Sequence, residues 1–150
     1  MYFINYLHSY ECVAKLIKSH INVDINMQNI HTAYREVIAI YREIPPPKSG
    51  YSVSFEDGEL GKYIKKTGIF DEIFTGVKES NDVDRARFKK LTEKSLALLM
   101  SIDERLFSIV NLLVTDIVYL KAEREGGGSA SHLPGVICIS PGEKWDEGDI

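Results

Sequence analysis

The chain has 150 residues, of which 44% are hydrophobic and 27% are charged, a composition typical of a globular domain with one sizeable core rather than of a disordered or fibrous protein. Its formal net charge of −4 gives no electrostatic reason to expect a nucleic-acid partner. The sequence contains no apolar run of ~18 residues and no signal-peptide pattern, so we expect a cytoplasmic protein without a membrane partner. The two cysteines, Cys12 and Cys138, suit reduced, buried thiols, although a disulfide between them stays open.

The first hundred residues are predicted to be mainly helical. Apolar residues recur at helical spacing over residues 3–21 and again over residues 30–44, and Asp24 is a candidate N-cap for the second helix. Three prolines at positions 45–47 should end that helix, so the two segments are typical of a helical hairpin. A further long helix is predicted from Asn81 to about Met100.

Shorter segments carry strand patterns. Residues 51–55 alternate apolar and polar side chains before the turn signal Asp57-Gly58, which indicates a half-buried strand or an extended loop. The glycines between positions 58 and 76 lack the strand-then-helix setting of a phosphate loop, so no nucleotide-binding role is assigned. Ser101 and Glu104 form a capping box for a helix to about Leu113, and strands are predicted at 117–120 and 136–139. The continuous apolar character of the last strand predicts a covered face.

These elements predict an α+β fold in a single domain, with a mostly helical N-terminal region (residues 1–100) followed by a helix and a small C-terminal sheet (residues 101–150). The last residues carry a helix-start pattern, because Asp146 is a good N-cap, Asp149 occupies the third position of a capping box, and Glu147 adds negative charge. A frayed acidic tail is the alternative interpretation.

The segment GGGSASHLPGVICISPGEKW, residues 126–145, resembles the stretch that precedes the metal-binding helix in a family of bacterial peptide-modifying proteins named for an HExxH motif. The matching features are a small-residue run at 126–131, the Leu133-Pro134-Gly135 turn, the strand at 136–140, Pro141 and Trp145. The resemblance implies a metal-dependent peptide β-hydroxylase that uses Fe(II) and 2-oxoglutarate in the maturation of ribosomally made natural-product peptides.

The HExxH motif itself does not occur in this chain. We therefore assign no catalytic residue, no metal ligand and no cofactor bound by this chain, and whether it is an enzyme stays open. In the family the metal helix would follow Ile150, so we expect the chain to be the N-terminal part of a larger enzyme. His132, in the glycine-rich loop, is expected to be a solvent-exposed histidine rather than a ligand, because a metal site needs convergent ligands.

The strand beside the active helix of zincin-like architectures can hold an extended peptide by strand addition, and by this analogy we predict a peptide partner. The candidate peptide-binding residues are Gly135, Val136, Ile137, Cys138, Ile139 and Ser140. An apolar strand left uncovered would also favour self-association. Two alternatives stay open: a stand-alone, non-catalytic binding module, and a helical interaction domain with a flexible glycine-rich tail.

Overall fold

The computed structural model describes residues 27–71 and 84–150. These residues form four helices and one four-stranded mixed sheet, which is the α+β fold class expected from the sequence. The chain divides into two compact units, Met1–Ala33 and Tyr34–Ile150. Only the start of one helix is described in the first unit, and the sheet lies in the second.

The helices are α1 (Met27–Tyr41), α2 (Glu59–Thr67), α3 (Arg85–Ile102) and α4 (Glu104–Leu113), and the strands are β1 (Ser52–Phe55), β2 (Asp116–Tyr119), β3 (Gly126–Gly128) and β4 (Val136–Ser140). The strands follow the order β1-β2-β4-β3 in the sheet. β1, β2 and β4 are parallel to one another, and β3 runs antiparallel to β4. None of these helices has the length and apolar character needed to cross a membrane.

The sheet is packed between two hydrophobic layers. One layer joins it to α2 and consists of Leu60, Ile64, Phe70, Val118, Leu120, Leu133, Val136 and Cys138. The other joins it to α3 and consists of Phe55, Phe88, Leu91, Ile117, Tyr119 and Ile139. Because both faces are covered, all four residues of β2 are buried, as is typical of parallel strands. In the second layer the Tyr119 hydroxyl lies 2.7 Å from Thr92 Oγ1, and burial raises the pKa of Tyr119.

Most of the predicted elements are confirmed where the structure describes them. The second predicted helix corresponds to α1, which ends at Tyr41, and the helix predicted to reach Leu113 is α4. The predicted strands at 51–55, 117–120 and 136–139 correspond to β1, β2 and β4, with β2 shifted by one residue toward the N-terminus. The predicted helix at 3–21 and the residues Asp24 and Asn81 lie outside the described residues.

Helix α2 was not predicted from the sequence, because glycines interrupt and flank it. Gly61 lies inside α2 where the helix packs against the end of β1. A Cβ atom at this position would come 2.4 Å from the carbonyl oxygen of Phe55, so only glycine fits. Gly68 ends the helix with a φ of 64°, the left-handed conformation common at helix C-termini. The residues that argued against a helix are therefore required by its packing and its C-cap.

The N-terminus of α4 also differs from the prediction. Asp103 is the N-cap, and its Oδ1 accepts hydrogen bonds from two backbone N–H groups of the first turn, both at 3.0 Å. The predicted cap, Ser101, belongs to α3 and donates a hydrogen bond to the carbonyl oxygen of Leu98 at 2.7 Å. The predicted capping box is wrong because α3 continues to Ile102, and the extended backbone that an N-cap needs occurs only at Asp103.

A buried ion pair ties the segment after α1 to the start of β2. Arg42 Nη1 donates to Asp116 Oδ2 at 2.8 Å, and these side chains are only 0% and 7% exposed. Thr115 Oγ1 donates to the same carboxylate oxygen at 2.8 Å, and Ser52 Oγ donates to the other at 2.5 Å. Nε and Nη2 of Arg42 are buried without a hydrogen-bond partner in the described part of the chain. Asp116 is thus the group that compensates the buried charge of Arg42.

Candidate peptide-binding edge

The strand predicted to hold a peptide, β4, lies inside the sheet. It pairs with β2 over Val136 to Ile139 and with β3 over Cys138 to Ser140. At Cys138 and Ile139, where both neighbours are present, the backbone of β4 has no open side for an added strand. The covered face predicted for this strand is confirmed, because Val136, Cys138 and Ile139 are buried.

The side chains of the six predicted residues divide between the two faces of the sheet. Val136 and Cys138 belong to the layer on α2. Gly135 precedes the strand, and its carbonyl oxygen accepts the N–H of Thr115 at 2.8 Å, while Ser140 Oγ is buried and accepts a backbone N–H at 3.1 Å. Only the side chains of Ile137 and Ile139 point to the opposite face, where the surface is partly open.

Strand β3 is the edge next to this surface. It pairs with β4 in the register Gly126 to Ser140, Gly127 to Ile139 and Gly128 to Cys138. Among the described residues no strand pairs with the other side of β3, and Gly127 is exposed. Successive residues of a strand direct their N–H and C=O groups to alternate sides, so this edge presents backbone groups that an extended peptide can bind.

A groove of about 250 Å³ lies over the face where β3 meets β4. It is lined by Gly127, Ile137, Ile139, Trp145, Asp149 and Ile150. The absence of a side chain on Gly127 keeps the groove open toward the edge of the sheet. A Cβ atom placed on Gly127 would lie 3.4 Å from the nearest heavy atom, the carbonyl oxygen of Cys138, so a side chain would fit there and fill the groove.

Trp145 forms one wall of the groove and is fixed from two sides. Its indole Nε1 donates a hydrogen bond to Glu125 Oε2 at 3.2 Å. Arg87 on α3 donates to the carbonyl oxygens of Glu143 at 2.7 Å and of Trp145 at 3.1 Å. The wall is therefore anchored both to the connection between β2 and β3 and to a helix, which favours a preformed groove.

The two carboxylates of the predicted helix start accept hydrogen bonds from backbone N–H groups of the same turn. Asp146 Oδ1 accepts the N–H of Gly148 at 2.8 Å, and Asp149 Oδ2 accepts the N–H of Asp146 at 2.8 Å. The predicted capping contacts are thus present around a single turn over residues 147–149. They place the Asp149 carboxylate in the lining of the groove.

Metal ligands do not converge in the described residues, since no group of three or more His, Cys, Asp and Glu side chains is found there. His132 is exposed, as predicted, and its Nδ1 lies 3.4 Å from Ser131 Oγ. Cys138 is a buried free thiol, as predicted, and burial raises its pKa well above the ordinary value for cysteine. Cys12 lies outside the described residues.

No model of a known protein family matches this chain, and no curated protein is significantly similar to it.

Sequence reasoning found part of this site and missed its edge. The predicted strand contains Ile137 and Ile139, and the segment at residues 126–145 contains Trp145. The triglycine run at 126–128 carries no strand pattern of its own, and the sequence predicts a loop there. Glycine is depleted in strands, so propensity argued against β3. The available signal was the combination of a triglycine and, eight residues later, an apolar strand that could pair with it.

Proposed function

We propose that this domain binds an extended peptide along the free side of β3 and serves as the substrate-side scaffold of an HExxH-type, metal-dependent peptide-modifying enzyme. The reaction class comes from the resemblance of residues 126–145 to the segment before the metal helix of that family. The peptide site comes from the geometry of the edge strand. As part of the same proposal, the protein works in the cytoplasm, where ribosomally made precursor peptides are available.

One observation carries the binding part of the proposal: β3 is a glycine-only strand at the end of the sheet, paired on one side with β4. A peptide that adds to such an edge gains main-chain hydrogen bonds whatever its sequence, and its alternate side chains meet the face of the sheet. The face next to β3 is the groove walled by Trp145, so backbone affinity and side-chain selection are available at one place.

The described residues do not fit the ligand set of Fe(II). A catalytic iron of this class needs several histidine and carboxylate ligands in fixed geometry with open positions. No such group converges within residues 27–71 and 84–150. The proposal therefore assigns no catalytic step to these residues and takes the metal and 2-oxoglutarate to be held by an HExxH segment outside them.

Peptide binding is tested by NMR, with backbone amide resonances of the ¹⁵N-labelled chain followed during titration with an extended heptapeptide. We expect shifts and slowed hydrogen exchange at the amides of Gly126–Gly128. The matched control is the same peptide with every backbone nitrogen methylated, which has no N–H group to donate from either edge and should not bind. Shifts confined to other surfaces, or equal binding of the N-methylated peptide, would contradict strand addition at β3.

The enzyme part is tested separately with the longest protein that the natural gene encodes. Incubation of this protein with a precursor peptide, Fe(II) and 2-oxoglutarate should add one oxygen atom to the peptide, which mass spectrometry detects. Peptide binding without any reaction would instead support the stand-alone binding module, which shares the edge strand but not the chemistry.

A further inference from the structure

We propose that the groove beside β3 selects the peptide by its side chains, and that it takes an aliphatic residue with lysine or arginine two positions away, on the same face of the added strand. This inference deepens the proposed function and rests on it, because it needs a peptide on the β3 edge. It is carried by three features of the described residues: the apolar floor, the side-chain-free position at Gly127, and the negative charge at the end of the groove.

The floor and wall of the groove define the aliphatic preference. Ile137 and Ile139 form the floor, and Trp145 and Ile150 close it from the side. A volume of about 250 Å³ is below the ~300–1,000 Å³ of pockets that hold a whole small molecule. The groove therefore suits one apolar side chain of the size of leucine or isoleucine, whose burial against this surface removes apolar area from water.

The position of Gly127 gives this side chain its route into the groove. Gly127 pairs with Ile139, whose side chain is part of the floor. A residue added on the far side of β3 opposite Gly127 meets no side chain between itself and Ile139. The side chain of the added residue can then extend over Gly127 and contact the floor of the groove. A larger residue at position 127 would block this contact.

The charges around the groove favour a basic residue two positions from the aliphatic one in the peptide. Asp149 lies in the lining, and its Oδ2 is engaged only by a backbone N–H among the contacts of the described residues. Glu125 adds a second carboxylate next to Trp145. Arg87 keeps its positive charge while it donates to two carbonyl oxygens, and Lys94 Nζ lies 3.9 Å from Glu147 Oε2. Residues 143–149, which include the wall of the groove, nevertheless carry four carboxylates against one lysine, and this local excess of negative charge favours lysine or arginine in the peptide.

The test uses Trp145, which is the single tryptophan of the chain and a wall of the groove, as a fluorescent reporter. Four acetylated heptapeptides that differ only at two alternate positions, which share one face of an added strand, are titrated: Leu-Ala-Arg, Ser-Ala-Arg, Leu-Ala-Ser and Leu-Ala-Glu. We expect the Leu-Ala-Arg peptide to bind best. Replacing its leucine by serine should weaken binding about tenfold, and replacing its arginine by serine about threefold, with a further loss for glutamate.

Two variants locate the effect. Gly127→Val fills the groove and should abolish the preference for leucine over serine, whereas Ser129→Val, just beyond β3 on an exposed position, is the matched control and should keep it. Asp149→Asn retains an acceptor for the backbone N–H but removes the charge, so it should reduce the preference for arginine alone. Circular dichroism of each variant shows whether the fold is retained.

The outcomes separate this inference from the proposed function. If all four peptides bind with equal affinity and protect β3, the edge binds peptide and the side-chain selection proposed for the groove is wrong. If none binds or protects β3, the peptide-binding function itself fails. A leucine preference that survives in Gly127→Val would place the selective surface elsewhere and overturn the inference.

Discussion

Replacing Asp116 by asparagine should destabilise the fold by about 3–5 kcal/mol, because it leaves the guanidinium of Arg42 buried without its counter-charge. The structure makes this an unusually demanding position. Arg42 is fully buried, and two of its three nitrogens lack a partner in the described part of the chain. The other acceptor of Nη1 is the uncharged Thr115 hydroxyl at 2.9 Å, which cannot replace the charge of the Asp116 carboxylate. Asparagine keeps the shape and can still accept from Ser52, but its NH2 group then replaces Oδ2, so the acceptor for Arg42 and Thr115 is lost together with the charge.

The assay is urea denaturation followed by circular dichroism and by Trp145 fluorescence. With a slope of about 1.5–2 kcal/mol per molar urea, the expected loss moves the midpoint down by roughly 2 M. The variant Arg42→Met/Asp116→Asn should recover at least half of the loss, because removing both charges leaves no uncompensated ion. The matched control is Asp57→Asn, which breaks an ion pair of 2.6 Å with Arg85 on the surface. Solvent screens that pair, so its midpoint should not move measurably.

The reasoning is refuted if Asp116→Asn changes the midpoint no more than Asp57→Asn does. It is also refuted if the two substitutions at Arg42 and Asp116 are additive, because additivity would mean that the two buried charges do not depend on each other.

Three further predictions test the packing. Gly61→Ala should destabilise the chain by about 1–3 kcal/mol in the same urea assay, since its methyl group meets the carbonyl of Phe55, whereas Gly127→Ala should leave the midpoint within error. In a Cys12→Ser background, Cys138 should react with a thiol reagent at pH 8 only after denaturant is added, and rapid reaction of the native chain would show that the α2 layer is open. Burial raises the pKa of Tyr119, so the folded state favours the neutral hydroxyl. The stabilisation that Tyr119 provides is therefore fully present below the unfolded pKa of about 10 and is lost as the pH rises through the folded pKa. Tyr119→Phe should therefore be less stable than the native chain by about 1 kcal/mol at pH 7, and this difference should narrow above pH 10; a constant difference from pH 7 to 11 would contradict the assignment.

The sequence predicted elements whose signal is local and failed where tertiary contacts decide. β4 was identified because its residues form a continuous apolar run between two Pro-Gly turns. α2 was missed because Gly61 lowers helix propensity, and the reason for that glycine is the carbonyl of Phe55, which no local pattern shows. β3 was missed because a triglycine has little strand propensity of its own and becomes a strand only through pairing with β4.

The candidate site shows the same division. The residues of the floor, Ile137 and Ile139, were in the predicted set because they belong to the apolar strand that the analogy with zincin-like architectures singled out. The free edge at β3 was not predicted, because the order of strands in a sheet is not encoded in any one of them. The buried pair of Arg42 and Asp116 gave no sequence signal either, since a charged residue 74 positions from its partner resembles an ordinary surface charge.

The parallel pairing of β1 with β2 has a consequence for the order in which the fold forms. Ser52 on β1 and Asp116 on β2 are 64 residues apart along the chain, whereas Thr115 and Gly135, which connect β2 to the start of β4, are only 20 apart. Closing the longer loop costs about 1 kcal/mol more in chain entropy. The pairs β2–β4 and β3–β4 should therefore form first. Strand β1 should join the sheet later, once α2 and α3 cover its two faces. On this pathway the segment that carries the peptide edge and the groove is the folding nucleus, and α1, attached through Arg42, is added last.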